Sequence, residues 1–220
     1  MTLNKDEALT EAKKFFVNKD YDQAIDVILK AKSTLDPGLF HYNIGSLYLK
    51  KNNLGPARFH LEKAREQGFT FPMLYKNLEF INSKAEIYDP SKAKSLEETV
   101  VAKFLDTPMN MFLILSLLLT SLSLLLFRFK YKGRGLVLGL LLVIALIPTV
   151  TKFSLERGLR VGVALQDLRV YEGPSKIYTD FGVISSGSRV ILNQAHDGWS
   201  YVMSPKEIRG WVEIKEIGFY

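Results

Sequence analysis

Hydrophobic positions follow three successive patterns along this chain. Between Lys5 and Gly68 they recur at helical spacing. Ala12, Phe15, Ala24, Ile28 and Ala31 return as Gly45, Tyr48, Ala57, Leu61 and Ala64, a period of 33 in which small answers small and large answers large. In the middle, Met109–Phe127 and Gly135–Val150 are uncharged throughout. Beyond about Val161 the pattern becomes short alternating runs: Leu168–Tyr171, Arg189–Leu192, Trp199–Val202 and Arg209–Ile214, separated by glycine turns.

Each pattern predicts an element type. The first predicts pairs of antiparallel helices, close where residues are small and filled where they are large. Breaks are expected at Asn18-Lys19-Asp20, Asp36-Pro37-Gly38, Lys51-Asn52-Asn53 and Gln67-Gly68. A third copy begins at Phe71-Pro72-Met73 and is expected to supply one capping helix, reaching about Ile87. Ser95-Leu96-Glu97-Glu98 has the spacing of a capping box for a helix to about Leu105. The first apolar run would span about 28 Å as a helix, close to the roughly 30 Å hydrocarbon core of a bilayer. The second is shorter and gains length from Thr151 and the snorkelling stem of Lys152. A core helix explains one such run but not two, so a transmembrane hairpin is expected. The third pattern predicts a small barrel of five or six strands.

The expected organisation is a helical repeat domain with its capping helix over 1–88, a linker or interfacial helix over 89–108, a transmembrane hairpin over 109–150 and an all-β module over 161–220. The net charge of +6 is concentrated in the hairpin loop, at Arg128, Lys130, Lys132 and Arg134. The regions on either side are nearly balanced, so the charge points to no nucleic-acid partner. Basic loops favour the cytoplasm, which places both soluble regions outside it. The chain opens Met1-Thr2-Leu3-Asn4-Lys5-Asp6 without an apolar leader. The periplasmic arrangement therefore needs a leader upstream of Met1, and a cytoplasmic placement of both domains is the alternative.

Catalytic chemistry finds little support. There is no cysteine, hence no disulfide framework and no thiolate metal site. His41, His60 and His196 show no ligand spacing. Neither a nucleophile elbow nor a phosphate loop is present. No enzyme activity, metal or cofactor is expected.

The 33-residue period resembles the tetratricopeptide repeat. That resemblance implies a concave groove for peptides or partner proteins, here carrying Lys13, Tyr42, Asn43, Ser46, Lys50, Lys76 and Asn77. The two asparagines suit either a bound peptide backbone or a neighbouring helix. Val170…Gly173-Pro174-Ser175, Gly187-Ser188-Arg189-Val190, Gly198-Trp199 and Gly210-Trp211-Val212 together resemble the bacterial SH3-like barrel. Trp199 and Trp211 then serve either as core or, with Tyr171 and Tyr178, as an aromatic surface for a peptide or glycan. The succession of tetratricopeptide-like helices, two transmembrane helices and a C-terminal all-β SH3-like barrel resembles the E component of the Bacteroides aerotolerance proteins. The resemblance implies a multi-pass protein of the bacterial inner membrane. It also implies a membrane-anchored scaffold role in envelope stress tolerance, with von Willebrand-type and AAA ATPase partners. The second functional expectation is a cell-wall peptide sensor that holds peptidoglycan on the β module.

Overall fold

The computed structural model describes residues 4–84, 86–128 and 134–220. It divides into two compact units, one formed by residues 1–93 with 161–220 and the other by residues 94–160.

The first unit begins with five helices: α1 (Lys5–Val17), α2 (Tyr21–Lys30), α3 (Pro37–Lys50), α4 (Leu54–Glu66) and α5 (Pro72–Asn82). Each lies against its chain neighbour. Asn4 opens α1 with a reciprocal capping box to Glu7, and Asp36 caps α3 ahead of Pro37. Lys19 and Asn52, one period apart, both take left-handed backbone (φ 65° and 57°) at a helix end. Ala12, Ala24, Ala31, Gly45, Ala57 and Ala64 are all buried. At Gly45 a Cβ would lie 2.8 Å from Leu61 Cγ and 3.0 Å from the Ala57 carbonyl, so α3 and α4 meet there because the residue is glycine.

The tetratricopeptide stack is nevertheless not what forms. The helices make one bundle, and among the described residues of this unit no second helix pairs with α5. Its place is taken by a 3-10 turn at Pro90–Lys92 and by the β region. The reason lies on α4. Gly55 leaves no room for a Cβ beside the Leu165 carbonyl, and Phe59 fills the space above Gly218. The face that would carry the next repeat is already covered.

The β region has seven strands: β1 (Arg160–Ala164), β2 (Leu168–Tyr171), β3 (Asp180–Ile184), β4 (Arg189–His196), β5 (Trp199–Ser204), β6 (Trp211–Glu213) and β7 (Ile217–Phe219). They form one sheet in the order β3-β2-β6-β5-β4-β1-β7. The expected SH3-like barrel is thus corrected to an open sheet: β3 and β7 are opposite edges and do not pair. Closure requires the two edge strands to hydrogen-bond to each other. Here β7 packs against α4 instead, with Phe59 over Gly218. The core is aliphatic, made of Leu168, Val170, Ile184, Val190, Leu192, Val202 and Val212 with Ala164 and Ile217.

Bundle and sheet are bonded through Tyr88 and Asp89. The Tyr88 N–H donates to Ser188 Oγ (3.0 Å), its carbonyl accepts from the Arg189 N–H (2.9 Å), and its hydroxyl meets Ser204 Oγ (2.7 Å). Below them lies a fully buried charge cluster. Arg58 of α4 pairs with Asp89 and donates from Nη1 to the Gly187 carbonyl at 3.0 Å. Arg189 of β4 reaches Asp89 Oδ1 at 3.2 Å and donates from Nε to the Tyr220 hydroxyl at 2.8 Å. Glu62 lies 3.5 Å from Arg58 Nε and 2.8 Å from Arg65 Nη2.

The second unit holds α6 (Leu96–Asp106), α7 (Met109–Phe127) and α8 (Arg134–Gly158). Ser95 makes no side-chain cap, so the capping box expected there is not formed. Among the described residues one helix, Gly135–Gly158, is long and apolar enough to cross a membrane. Met109–Leu125 reaches that standard only together with Leu96–Asp106, across a 90° bend. The two transmembrane helices are thereby corrected to one candidate span, and the multi-pass inner-membrane location falls with them. Lys130 and Lys132 of the expected loop lie outside the described residues. α7 also runs along α8 with hydroxyls in between: Ser116 Oγ meets Thr149 Oγ1 at 2.7 Å, and Thr149 donates to the Phe112 carbonyl at 3.2 Å. Lys152 does not snorkel. Its buried ammonium donates to the Phe104 (3.0 Å) and Leu105 (2.7 Å) carbonyls, the open C-terminal end of α6, and pairs with Glu156 at 3.1 Å.

Candidate binding face

The sheet's outward face is built by alternation. Along β5, Trp199, Tyr201 and Met203 stand half-buried on one side, while Ser200, Val202 and Ser204 turn into the body. β6 repeats this with Trp211 and Glu213 outward and Val212 inward. Register then aligns the rings. Tyr171 of β2 lies opposite Trp211, and Trp211 lies opposite Tyr201, giving one aromatic row across three strands. Tyr201 and Trp211 meet edge-to-face at 5.6 Å. Trp199 crosses to Tyr171 at 5.4 Å with the ring planes at 90°.

One end of the row opens into a shallow depression lined by Ser175, Lys176, Asp197, Trp199, Glu213 and Lys215. Glu213 is held there between two ammonium groups, Lys176 at 2.6 Å and Lys215 at 2.5 Å. Hydrogen bonds from Lys176 and then Lys215 depress its pKa, and the bond to Glu213 raises that of Lys176. Tyr178 is half-exposed and folds over Gly173, whose missing side chain makes room for the ring.

Neither tryptophan belongs to the sheet core. Tyr201 was not among the residues singled out from the sequence, although the alternation Trp199-Ser200-Tyr201-Val202 contains the signal.

The bundle residues are dispersed by comparison. Lys13, Lys50 and Lys76 are exposed, with no ion pair among the described residues. Asn43 donates to the Leu39 carbonyl of its own helix at 2.9 Å. Asn77 donates to Ser46 Oγ at 3.3 Å, tying α5 to α3. Tyr42 stacks on Phe69 at 4.9 Å and meets Phe71 edge-on. His41 and His60, unremarkable in the sequence, face each other across α3 and α4 with Nδ1 atoms 2.8 Å apart. Among the described residues no three His, Cys, Asp or Glu side chains gather as a metal site would need.

No protein-family model, no curated protein and no solved structure matches this chain. With an open sheet, a single bundle and one candidate span, the likeness to the aerotolerance E component is not upheld.

Proposed function

We propose that this chain is a protein-binding scaffold whose outer sheet face holds an extended, proline-containing segment of a partner protein. The observation that carries the reading is the aromatic row Tyr171–Trp211–Tyr201, with Trp199 leaning onto Tyr171. Rings set edge-to-face leave furrows between them. A polyproline II segment fits such furrows and has little conformational entropy left to lose. The rings stand on paired strands, so the face is preformed and binding need not order it. Lys176, Glu213 and Lys215 supply a polar rim at one end. The bundle groove is the weaker alternative, because the amide groups of Asn43 and Asn77 are engaged within the bundle.

The chain has two tryptophans, Trp199 and Trp211, so selectively excited tryptophan fluorescence reports on this face alone. The full chain is used to probe an array of proline-containing peptides, and those that bind are titrated in solution. Binding is expected to shift tryptophan emission. Trp199→Ala is expected to weaken it about 30-fold, the effect of losing a central aromatic anchor worth about 2 kcal/mol. Lys50→Ala and Asn77→Ala should leave it unchanged. Loss through those two with a neutral Trp199→Ala moves the site to the bundle. Response to peptidoglycan fragments alone turns the reading into cell-wall sensing.

A further inference from the structure

The two edges of the sheet differ. β7 packs beneath α4, and the Phe59 ring occupies the space over Gly218. β3 has β2 on one side and no strand on the other. Among the described residues no backbone hydrogen bond from outside β2 reaches positions 180–184. Ile208 covers the sheet face at Gly182, leaving the edge itself open. Exposed edges are ordinarily protected by lysine, proline or a covering element. Thr179–Ser186 contains no lysine, arginine or proline. It presents Phe181 and Val183 at 50% and 52% exposure, preceded by Ile177 at 94%.

We infer that β3 is a dimerisation edge, pairing antiparallel with β3 of a second copy about Gly182. This goes beyond the peptide-binding reading and does not depend on it. The strand Asp180-Phe181-Gly182-Val183-Ile184 is self-complementary about its centre. Gly182 falls opposite Gly182 of the second copy, and Phe181 falls opposite Val183 in both halves. Two apolar cross-strand pairs form from side chains that are half-exposed in the monomer. Asp180 is the strand's one charged residue, and Arg169 lies 3.6 Å from it in its own copy. In this register the two Asp180 side chains stand about 14 Å apart, beyond a Debye length of about 8 Å at physiological salt. No like-charge contact opposes the pairing. A five-residue strand buries less than the roughly 1,200 Å² of a standard interface, so the dimer depends on concentration. It joins two seven-stranded sheets into one and sets two aromatic rows side by side for a bivalent partner.

The absence of cysteine makes the register testable by disulfide trapping. Full chains bearing Phe181→Cys and Val183→Cys, with different tags and in mild detergent, are oxidised separately and mixed. Opposed positions have Cα atoms about 4.5–5.5 Å apart, within disulfide reach. Identical positions lie on the diagonal at about 7–8 Å, at or beyond its limit. The mixture should cross-link strongly and each chain alone weakly. In sedimentation equilibrium the wild type should show a monomer–dimer equilibrium. Val183→Lys should raise its dissociation constant about tenfold or more, with far-UV circular dichroism and tryptophan emission unchanged. The proposal is overturned by a monomer at all concentrations without mixed cross-links. It is equally overturned by a dimer indifferent to Val183→Lys, or by β3 pairing only when a peptide is added. If Val183→Lys fails to fold, the cross-linking comparison alone decides.

Discussion

Asp89→Ala is expected to lower the unfolding free energy of the bundle–sheet body by about 3–5 kcal/mol. Arg58 and Arg189 are 0% and 2% exposed, and Asp89 gives one carboxylate oxygen to each. Removing it leaves two buried guanidiniums beside Glu62, which Arg65 already shares. It also removes the oxygen that accepts from the Ser91 N–H and hydroxyl at the start of the 3-10 turn. Far-UV circular dichroism in a guanidinium titration measures the loss, with Asp22→Ala as control. Asp22 pairs with Lys51 on the surface, where the expected cost is about 0–1 kcal/mol. Equal effects at the two positions would mean that the cluster does not hold bundle and sheet together. Burial opposes ionisation of Asp89, but Arg58, Arg189 and the Ser91 bonds outweigh it, leaving its pKa below the usual 3.8. Its contribution is therefore present above pH 3.8 and is lost as pH falls below that value. That portion of the acid transition should be missing from the Asp89→Ala protein.

Helix ends in the bundle were legible because they depend on local chemistry. Asp36-Pro37, Asn53 and Gly68 terminate or start helices wherever they occur, and all stand at or beside observed ends. Small residues one period apart marked the contacts of α3 with α4. The course of the chain beyond the repeats was not legible, because it depends on contacts distant in sequence. Arg58 and Glu62 stand four residues apart on α4, the spacing of an ordinary surface ion pair. Only Asp89 and Arg189, 31 and 131 positions beyond Arg58 in the chain, make them a buried junction. α5 stops at Asn82 rather than near Ile87, where the chain turns toward Tyr88 and β4. The closed barrel was inferred from turn motifs. Such motifs set hairpins but do not decide whether edge strands meet.

The aromatic face was half legible. Tyr171, Trp199 and Trp211 stood out by residue type, yet type alone favoured core packing for the two tryptophans and left the surface role as the alternative. Alternation within β5 and β6 decides the question, and it is Ser200, Val202 and Val212 that turn inward. Tyr201 escaped notice because tyrosine in a strand is common. Its place beside Trp211 depends on register between strands, which no single segment encodes. The repeat groove poses the opposite case. Its residues match a pattern, but Asn77 is engaged with Ser46 of α3, and Tyr42 with Phe69 and Phe71 ahead of α5.

Stability is expected to fall as pH drops from 6.5 to 4, and His41→Phe/His60→Phe is expected to remove most of that slope. The two Nδ1 atoms, 2.8 Å apart, form a bond only while at least one of them lacks a proton. Neutral rings satisfy this, and so does a pair sharing one proton. Two imidazoliums do not. Burial, then Lys63 and Lys32, lowers the His41 pKa from 6.5 to about 4. Burial, then His41, Lys63 and Lys32, brings His60 to about 4 as well. Above pH 6.5 both rings are neutral whether the chain is folded or not, and stability is complete. Between 6.5 and 4 the unfolded chain takes up protons that the folded one refuses, so stability declines through that window. For His60, the more deeply set, the full displacement amounts to about 3 kcal/mol at most. His41 adds less because water reaches it. The window lies above that of Asp89, so the two transitions separate on the pH axis. Phenylalanine keeps the contacts to Tyr48, Phe40 and Phe59 while deleting the titration. Guanidinium midpoints at pH 7 and pH 5 measure the effect. A wild-type midpoint unchanged between them, or a double variant with the same slope as wild type, would show that the histidine pair does not tie α3 to α4 in a protonation-dependent way.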